Sequence, residues 1–279
     1  MTQLKVAIFG GDGRMGLLIS NQIINDPQFQ LVGSFAASSS VNLNVDIGFL
    51  IGKGKIGVIL QDAAVVEAWL HEHPVDIVID FSSPEATIKN CSMALNRGIP
   101  CVIGTTGISA QNIDRLKSLS EHQLCSCVIA SNMLRGVNVF FHVAELIASF
   151  TKSWDVEILE THHRNKVDSP SGTALTLGNK IAEKIDAEFN SAAIYGREGK
   201  TLRKSSNAEI GFHSIRAGDI IGEHTVLFAG PGERIELTHR AHNREGYAKG
   251  SLVAATFLNA HRSEGVIFSM DDVLGLKQI

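Results

Sequence analysis

The chain has 279 residues, of which 44% are hydrophobic and 19% charged, with a formal net charge of −4. At roughly 150 residues per domain that length suits two domains, and so apolar a chain is not a disordered one, because it has enough core to repay the entropy of ordering. The mild acidity, with no Lys/Arg run of five residues, argues against nucleic acid or an anionic membrane as a partner. No apolar stretch approaches the roughly 18 residues that span a bilayer. Met1 to Lys5 runs straight into a strand-like segment, leaving no room for a signal peptide. Four cysteines, Cys91, Cys101, Cys125 and Cys127, are too few for a disulfide scaffold and fit a reduced, cytoplasmic setting. Cys125 and Cys127 are spaced C-x-C, so in a strand they share a face and read as core packing.

In chain order, the first half alternates short apolar runs with stretches of helical spacing. Strands are expected at Leu4 to Phe9, Gln30 to Phe35, Val75 to Asp80, Ile99 to Ile103 and Ser126 to Ala130. Helices are expected at Met15 to Ile24, from Ser83-Pro84-Glu85 onward, and from Ser109 to Glu121. Runs apolar on both faces and separated by helices indicate buried parallel strands in βαβ units, with ligands at the carboxyl ends of the strands.

After about Asn132 the pattern changes. A long helix (Arg135 to Phe150) leads to a strand (Asp155 to Glu160), then a helix near Ser171 to Ile185. Strands follow at Ile210 to Arg216, Glu223 to Phe228 and Arg234 to Arg240, separated by Ala217-Gly218-Asp219 and Gly230-Pro231-Gly232 turns of the kind hairpins use. The expected fold class is an α/β Rossmann-like domain, 1–133 with 243–279, plus an α+β domain, 134–242, with a mostly antiparallel sheet. A last helix, about Ala248 to Ala260, returns to the first domain. A sheet with few helices to cover it leaves a face for another subunit.

The first strand ends in Gly10-Gly11-Asp12-Gly13-Arg14-Met15-Gly16 and then a helix. Gly10 suits a tight turn, Gly13 a close backbone approach to a pyrophosphate, and Gly16 close helix–strand packing, while the helix N-terminus presents free N–H groups to the phosphates. The spacing is G-x-x-G-x-x-G, and its place at the first βα turn is what gives it weight. An NAD site usually carries an acid about 20 residues on, but strand two ends in Phe35-Ala36-Ala37-Ser38-Ser39-Ser40. That absence leans toward NADPH, with Arg14 and the serines available to a 2′-phosphate. Asp12, an acid beside phosphates, is unhelpful there unless it points away. Gly104-Thr105-Thr106-Gly107 and Ala130-Ser131-Asn132-Met133 follow later strands, where they could admit a nicotinamide ring and bond its carboxamide.

The densest chemistry lies in Glu160-Thr161-His162-His163-Arg164-Asn165-Lys166-Val167-Asp168-Ser169-Pro170-Ser171-Gly172-Thr173-Ala174. It suits a small, doubly anionic substrate. His162 or His163 can move a proton near neutral pH, Lys166 can pair with one carboxylate, and N–H groups of Gly172 and Thr173 can bind a second. Adjacent histidines would need further ligands at the right spacing to hold zinc, so no metal is expected. The bland alternative is a solvated basic loop with Ser-Pro-Ser capping a helix.

These segments, together with Asp80-Phe81-Ser82-x-Pro84, Asn132-x-x-x-Gly136-Val137-Asn138 and Arg216-Ala217-Gly218-Asp219-Ile220-x-Gly222-Glu223-His224, resemble the 4-hydroxy-tetrahydrodipicolinate (dihydrodipicolinate) reductases of lysine and diaminopimelate biosynthesis, essentially end to end. The resemblance implies a dinucleotide-binding first domain, a substrate-binding and tetramerisation second domain, and an NADPH- or NADH-dependent reduction of a cyclic, imine-derived dicarboxylate to tetrahydrodipicolinate by a cytoplasmic homotetramer. It implies His162 as general acid/base, Lys166 as proton donor, and His163, Gly172 and Thr173 as substrate contacts. The cofactor would lie on Gly10, Gly11, Asp12, Gly13, Arg14 and Met15, with Gly104, Thr105, Thr106, Ala130, Ser131, Asn132 and Met133 at the nicotinamide. Where family members often carry an acidic–basic pair after strand two, this chain has Ala36 and Ala37. Another two-domain nicotinamide-dependent amino- or imino-acid dehydrogenase would share the glycine loop, and so would a non-catalytic NAD(P)H sensor. The sensor would have no use for His162, His163 and Lys166 together.

Overall fold

The structure, a computed structural model, describes residues 3–203 and 209–278. Its strands are β1 (Leu4–Phe9), β2 (Phe29–Ala36), β3 (Leu60–Asp62), β4 (Ile77–Asp80), β5 (Cys101–Ile103), β6 (Cys127–Ile129), β7 (Asp155–His162), β8 (Ala193–Tyr195), β9 (Ile210–Arg216), β10 (Gly222–Gly230), β11 (Glu233–Ala241) and β12 (Ile267–Phe268). Its helices are α1 (Arg14–Asn25), α2 (Ile47–Leu50), α3 (Val66–Glu72), α4 (Pro84–Leu95), α5 (Ala110–Gln123), α6 (Arg135–Phe150), α7 (Gly172–Lys184), α8 (Phe189–Ala192), α9 (Glu245–Ala260) and α10 (Met270–Val273). The chain divides into two units, Met1–Arg135 with Arg244–Ile279, and Gly136–Asn243.

The first unit is a parallel sheet in the order β12-β6-β5-β4-β1-β2-β3. Both faces are covered, which is why its strands read as unbroken apolar runs. Successive residues of β1 serve opposite cores. Val6 and Ile8 pack with Ile19 and Ile23 of α1 and Ala254, Ala255 and Leu258 of α9, while Ala7 and Phe9 pack with Trp69, Cys91, Leu95 and Leu116 on the other side. The four cysteine thiols are free and buried. Burial pushes the Cys91 thiol well above its ordinary value, Cys101 and Cys125 to about 11 and Cys127 to about 12.

A parallel sheet puts every strand's carboxyl end along one edge, and β4 ends there in a buried carboxylate. Asp80 accepts hydrogen bonds from the hydroxyls of Thr105 and Thr87, both at 2.6 Å, and from Ser82 Oγ at 3.0 Å. Ser82 N–H in turn donates to Thr105 Oγ1 at 2.9 Å, so the loops after β4 and β5 are tied together through one acid. Burial pushes the Asp80 carboxyl up, against the opposing pull of these donors. Ser83 then caps α4, its hydroxyl accepting the Ala86 N–H, with Pro84 at the first helical position where a missing N–H costs nothing.

The second unit holds a five-stranded sheet in the order β11-β10-β7-β9-β8. The expectation of a mostly antiparallel sheet needs correction, because the sheet is mixed. β10 pairs antiparallel with β11 and β7, but β9 runs parallel to β7 and β8. The cause is connectivity: α7 carries the chain across the sheet after β7, and a crossover returns the next strands parallel. It follows that the Ala217–Asp219 turn does not close a hairpin, since β7 lies between β9 and β10. The Pro231-Gly232 turn does, joining Gly230 to its partner Glu233, with Gly232 at φ +82°. On the face packed by α7, Val156 and Ile158 of β7 are buried opposite Ile210 and Phe212 of β9.

Asp80→Ala strips the acceptor from three hydroxyls at once. Stability is expected to fall by about 2–4 kcal/mol, with faster amide exchange at residues 81–83 and 104–107. Hydrogen exchange that finds those segments unaltered would show that Asp80 does not hold them.

Candidate active site

On the α7 face of the second unit, the β7–β9 pairing turns from apolar to charged toward the strands' carboxyl ends. Val156 and Ile158 are followed, at the same two-residue spacing, by Glu160 and His162, at 1% and 8% exposure. Across the parallel register, Glu160 faces Ser214 and His162 faces Arg216. Glu160 accepts two bonds from Arg216, Nη1 to Oε2 at 2.9 Å and Nη2 to Oε1 at 2.7 Å. Its Oε2 is 2.5 Å from His162 Nδ1, and its Oε1 takes the Ser171 N–H at 3.2 Å. Burial would raise this carboxyl, but the hydrogen bonds from His162, Arg216 and Ser214 outweigh it and hold Glu160 well below the usual carboxylate range. An ionised carboxylate accepts only, so His162 Nδ1 carries a proton and Nε2 is left for chemistry. Gly222 leaves room on that side, since a Cβ there would stand 3.0 Å from His162 Nε2.

A second histidine backs the first. His224, opposite Glu160 on β10, is buried, with its ring 5.2 Å from that of His162 in an edge-on arrangement. Its Nε2 lies 3.1 Å from Ser171 Oγ, the hydroxyl that also caps α7 by accepting the Ala174 N–H. Burial, reinforced by the His162 charge, pushes His224 down to about 3, so it is neutral at pH 7.

The loop from β7 to α7 holds the remaining expected residues. Arg216 Nη2 pins it by donating to the Asp168 carbonyl at 2.6 Å. Lys166 Nζ, a half-buried ammonium, donates to both oxygens of Asp168, at 2.7 and 2.8 Å. The Gly172 N–H also serves Asp168, whose carboxyl, raised by burial, is lowered on balance by Lys166 and Gly172. Asp168 therefore occupies Lys166 and Gly172, which the sequence assigns to two different substrate carboxylates. Gly172 is exposed at the start of α7, with open space where a Cβ would go, and Thr173 follows half-buried. His163 is half-buried, its Nδ1 without a hydrogen-bond partner among the described residues. No group of three His, Cys, Asp or Glu among the described residues is placed to hold a metal ion.

In the first unit, the loop Gly10–Gly16 has the shape a dinucleotide needs. The N–H groups of Gly10 and Gly11 both donate to the Phe35 carbonyl, at 2.9 and 2.8 Å, which folds the turn against β2. Gly10 sits at φ +78°, and a Cβ on Gly16 would lie 2.2 Å from the Gly10 carbonyl oxygen. Gly13 caps α1 without a side-chain bond and the first turn carries no acid, so its amides are open to an anion. This cradle fits a dinucleotide diphosphate. Asp12 is half-buried, Arg14 exposed and Met15 half-buried within it.

The later loops stand at the same sheet edge but offer less than the sequence suggests. Thr105 is spent on Asp80, and Gly104 is closed by the Phe81 ring, 2.2 Å from where its Cβ would be. Asn132 is buried, accepting the Leu134 N–H at 2.9 Å and bonding Tyr247, while Met133 is a core residue at 1% exposure. Thr106 and Ser131 are the exposed side chains there, with Ala130 half-buried. Glu160, Arg216, His224 and Asp168 carry no assigned role in the sequence reading. The i, i+2 spacing of Glu160 and His162 on a strand was the available signal for the first.

A Rossmann-type unit joined to a mixed-sheet unit with a carboxylate-held histidine defines a two-domain, dinucleotide-dependent oxidoreductase. Residues 4–133 and 136–274 match the family described as dihydrodipicolinate reductase, N-terminus and C-terminus respectively. The chain belongs to the dihydrodipicolinate reductase family. It is 43% identical to the 4-hydroxy-tetrahydrodipicolinate reductase of Polynucleobacter necessarius over 99% of this chain and 100% of that one. The enzyme of that name from Methanobrevibacter smithii is 38% identical over 98% of this chain and all of its own. Among solved structures, a dipicolinate-bound dihydrodipicolinate reductase from Paenisporosarcina aligns with a TM-score of 0.77 at 24% identity, over 97% of this chain and 99% of that one. An amine dehydrogenase from Mycobacterium smegmatis aligns at 0.57 with 13% identity over 93% of each chain. These two likenesses speak for the fold.

His224 and Glu160 both tie stability to pH in one direction. His224 takes a proton at about 6.5 when unfolded but only near 3 when folded, so its contribution is lost as pH falls from 6.5 toward 3. Glu160, lowered from 4.5, adds a further loss below that pH. Chemical denaturation at several pH values should show stability falling on acidification. His224→Gln should flatten the slope below pH 6.5 by up to about 1.4 kcal/mol per pH unit. An unaltered slope would mean that His224 is protonated in the folded protein.

Proposed function

We propose that this chain catalyses the NAD(P)H-dependent reduction of 4-hydroxy-tetrahydrodipicolinate to tetrahydrodipicolinate in lysine and diaminopimelate biosynthesis. The observation that carries the reading is the chain Arg216–Glu160–His162, which presents an oriented imidazole and ties the head of α7 to the same carboxylate. The reduced nicotinamide, when bound on the Gly10–Gly16 loop, supplies the hydride. The protein's own work is to bind a dianion and manage a proton. Lys166 Nζ and the Gly172 and Thr173 N–H groups take the substrate carboxylates, displacing the carboxylate of Asp168 that holds Lys166 and Gly172 in its absence. His163 contacts the substrate, and Lys166 serves as proton donor. His162, held through Nδ1 by Glu160, takes or gives a proton at Nε2 and stabilises the negative charge that develops on reduction. Arg216 and Glu160 are positioning residues that fix the imidazole's tautomer and direction.

The same proposal covers the assembly. The sheet face away from α7 carries Ile215, 47% exposed, on β9 and a Thr225–Thr238 hydroxyl pair across β10 and β11, and it suits packing against further copies in a homotetramer. No helix of the described residues is long and apolar enough to cross a membrane. We place the enzyme in the cytoplasm.

The direct test follows nicotinamide absorbance with substrate generated from pyruvate and aspartate semialdehyde by the preceding synthase. Rapid oxidation that depends on the synthase is expected. His162→Ala should lower kcat by about 10²-fold or more, and unchanged turnover would remove His162 from the mechanism.

Asp168→Ala separates the two states of the anion site. Freed of an internal competitor, Lys166 and Gly172 should bind dipicolinate, a substrate-like dianion, several-fold more tightly, whereas Lys166→Ala should weaken it by about tenfold or more. Calorimetric titration reads both. Tighter binding in Lys166→Ala would contradict the assignment.

A further inference from the structure

The glycine loop holds a residue that phosphate binding does not need. Asp12 stands between Gly11 and Gly13, and its Oδ2 accepts the hydroxyl of Ser40, in the loop that follows β2. Two residues earlier in that loop, Ser38 donates its hydroxyl to Asp62 Oδ1 at 2.9 Å, at the end of β3. A serine has one hydroxyl proton, and an ionised carboxylate can only accept. The protons of both serines are therefore committed. What Ser38 and Ser40 offer an incoming group is lone pairs, and Ser40 already spends one on the Asn42 N–H at 3.2 Å.

The loop beyond the second strand is where a Rossmann-type sheet meets the adenosine ribose. A free 2′-hydroxyl is a donor, and it finds acceptors there in two carboxylates and two serine oxygens. A 2′-phosphate is an anionic acceptor, and it finds two negative charges and two serines with no proton to give. Arg14 is the one Arg or Lys between Gly10 and Gly16, and Lys89 acts on Asp62, so Asp12 is the acid that offsets the glycine loop's own cation. The sequence, showing no acid between Phe35 and Ser40, leans toward NADPH. The fold supplies the acid from elsewhere.

We infer that Asp12, positioned by Ser40, sets the cofactor preference of this enzyme toward NADH. It performs from the glycine loop the task that an acidic residue after strand two performs in other dinucleotide sites, where this chain has Ala36 and Ala37. The inference rests on the reading of Gly10–Gly16 as the dinucleotide loop and deepens it. Asp62, through Ser38, supports the same preference from the β3 side.

The test is binding, independent of turnover: dissociation constants for NADH and NADPH, by calorimetry or nicotinamide fluorescence, on the full chain. The unaltered protein should bind NADH more tightly. Asp12→Asn should move the ratio of the two constants toward NADPH on the order of tenfold, the scale on which one carboxylate opposes an adjacent phosphate in a largely aqueous dielectric. Asp12→Ser, which keeps a hydroxyl partner for Ser40 and removes the charge, should shift the ratio the same way and stands in if the asparagine variant does not fold. Ser40→Ala should give a smaller shift in that direction. A ratio unmoved by loss of the Asp12 charge, with both cofactors still bound, overturns the inference, as does tighter NADPH binding by the unaltered protein. Failure of the unaltered chain to bind either dinucleotide would instead overturn the cofactor reading itself.

Discussion

A carboxylate taken out of water has to be compensated, and around Glu160 that requirement organises the second unit's chemistry. An ion of this size loses several kcal/mol of hydration on burial, which only close, well-aligned partners return. Glu160 finds them on three elements: Arg216 from β9, His162 from its own strand and the Ser171 N–H at the head of α7. Each partner is fixed by serving it. Arg216 in turn ties down the loop that carries Lys166 and Asp168, through the Asp168 carbonyl. The imidazole's direction, the loop's path and the start of α7 thus share one cause, and no part of the site can be moved without exposing the same charge.

The first unit buries a carboxylate as well, and the contrast explains why one is chemical and the other architectural. Asp80 is met by neutral hydroxyls, from Thr105, Thr87 and Ser82, where Glu160 is met by a guanidinium and an imidazole. Burial accordingly dominates at Asp80 and raises its pKa, whereas the cationic partners dominate at Glu160 and lower it. A permanent anion beside a histidine sets that histidine's tautomer and the direction of its ring. A carboxylate ringed by hydroxyls does neither, but it fixes where two loops leave the sheet.

Much of the architecture was legible in the chain itself. Apolar runs marked β1, β2, β4, β5 and β6 to within a residue or two, and Ser83, Ser109 and Ser171 cap helices where hydroxyls precede helical spacing. Strand order was not legible, because nothing local says that β7 inserts between β9 and β10. The same limit applies to the site. The glycine loop and the His162–Lys166 segment announce themselves by composition, but the partner that orients His162 is itself oriented by an arginine 56 residues further on. Met133 and Asn132 show the converse. Their position after a strand suggested a cofactor contact, and because packing against α9 and bonding to Tyr247 occupy their side chains, it is their backbone that remains for one. Asp12 gained a meaning only when the fold brought Ser40 to it.

The four buried thiols have a practical consequence. A thiol is nucleophilic only as thiolate, and burial keeps all four protonated far above neutral pH and away from solvent. Shifts in cellular redox poise therefore have no handle on this enzyme through its own cysteines. For the experimenter, the native surface is silent toward maleimides and iodoacetamides. A single cysteine placed on an exposed loop of either unit would be the sole target for a fluorophore or spin label, without first stripping the protein of its natural sulfur.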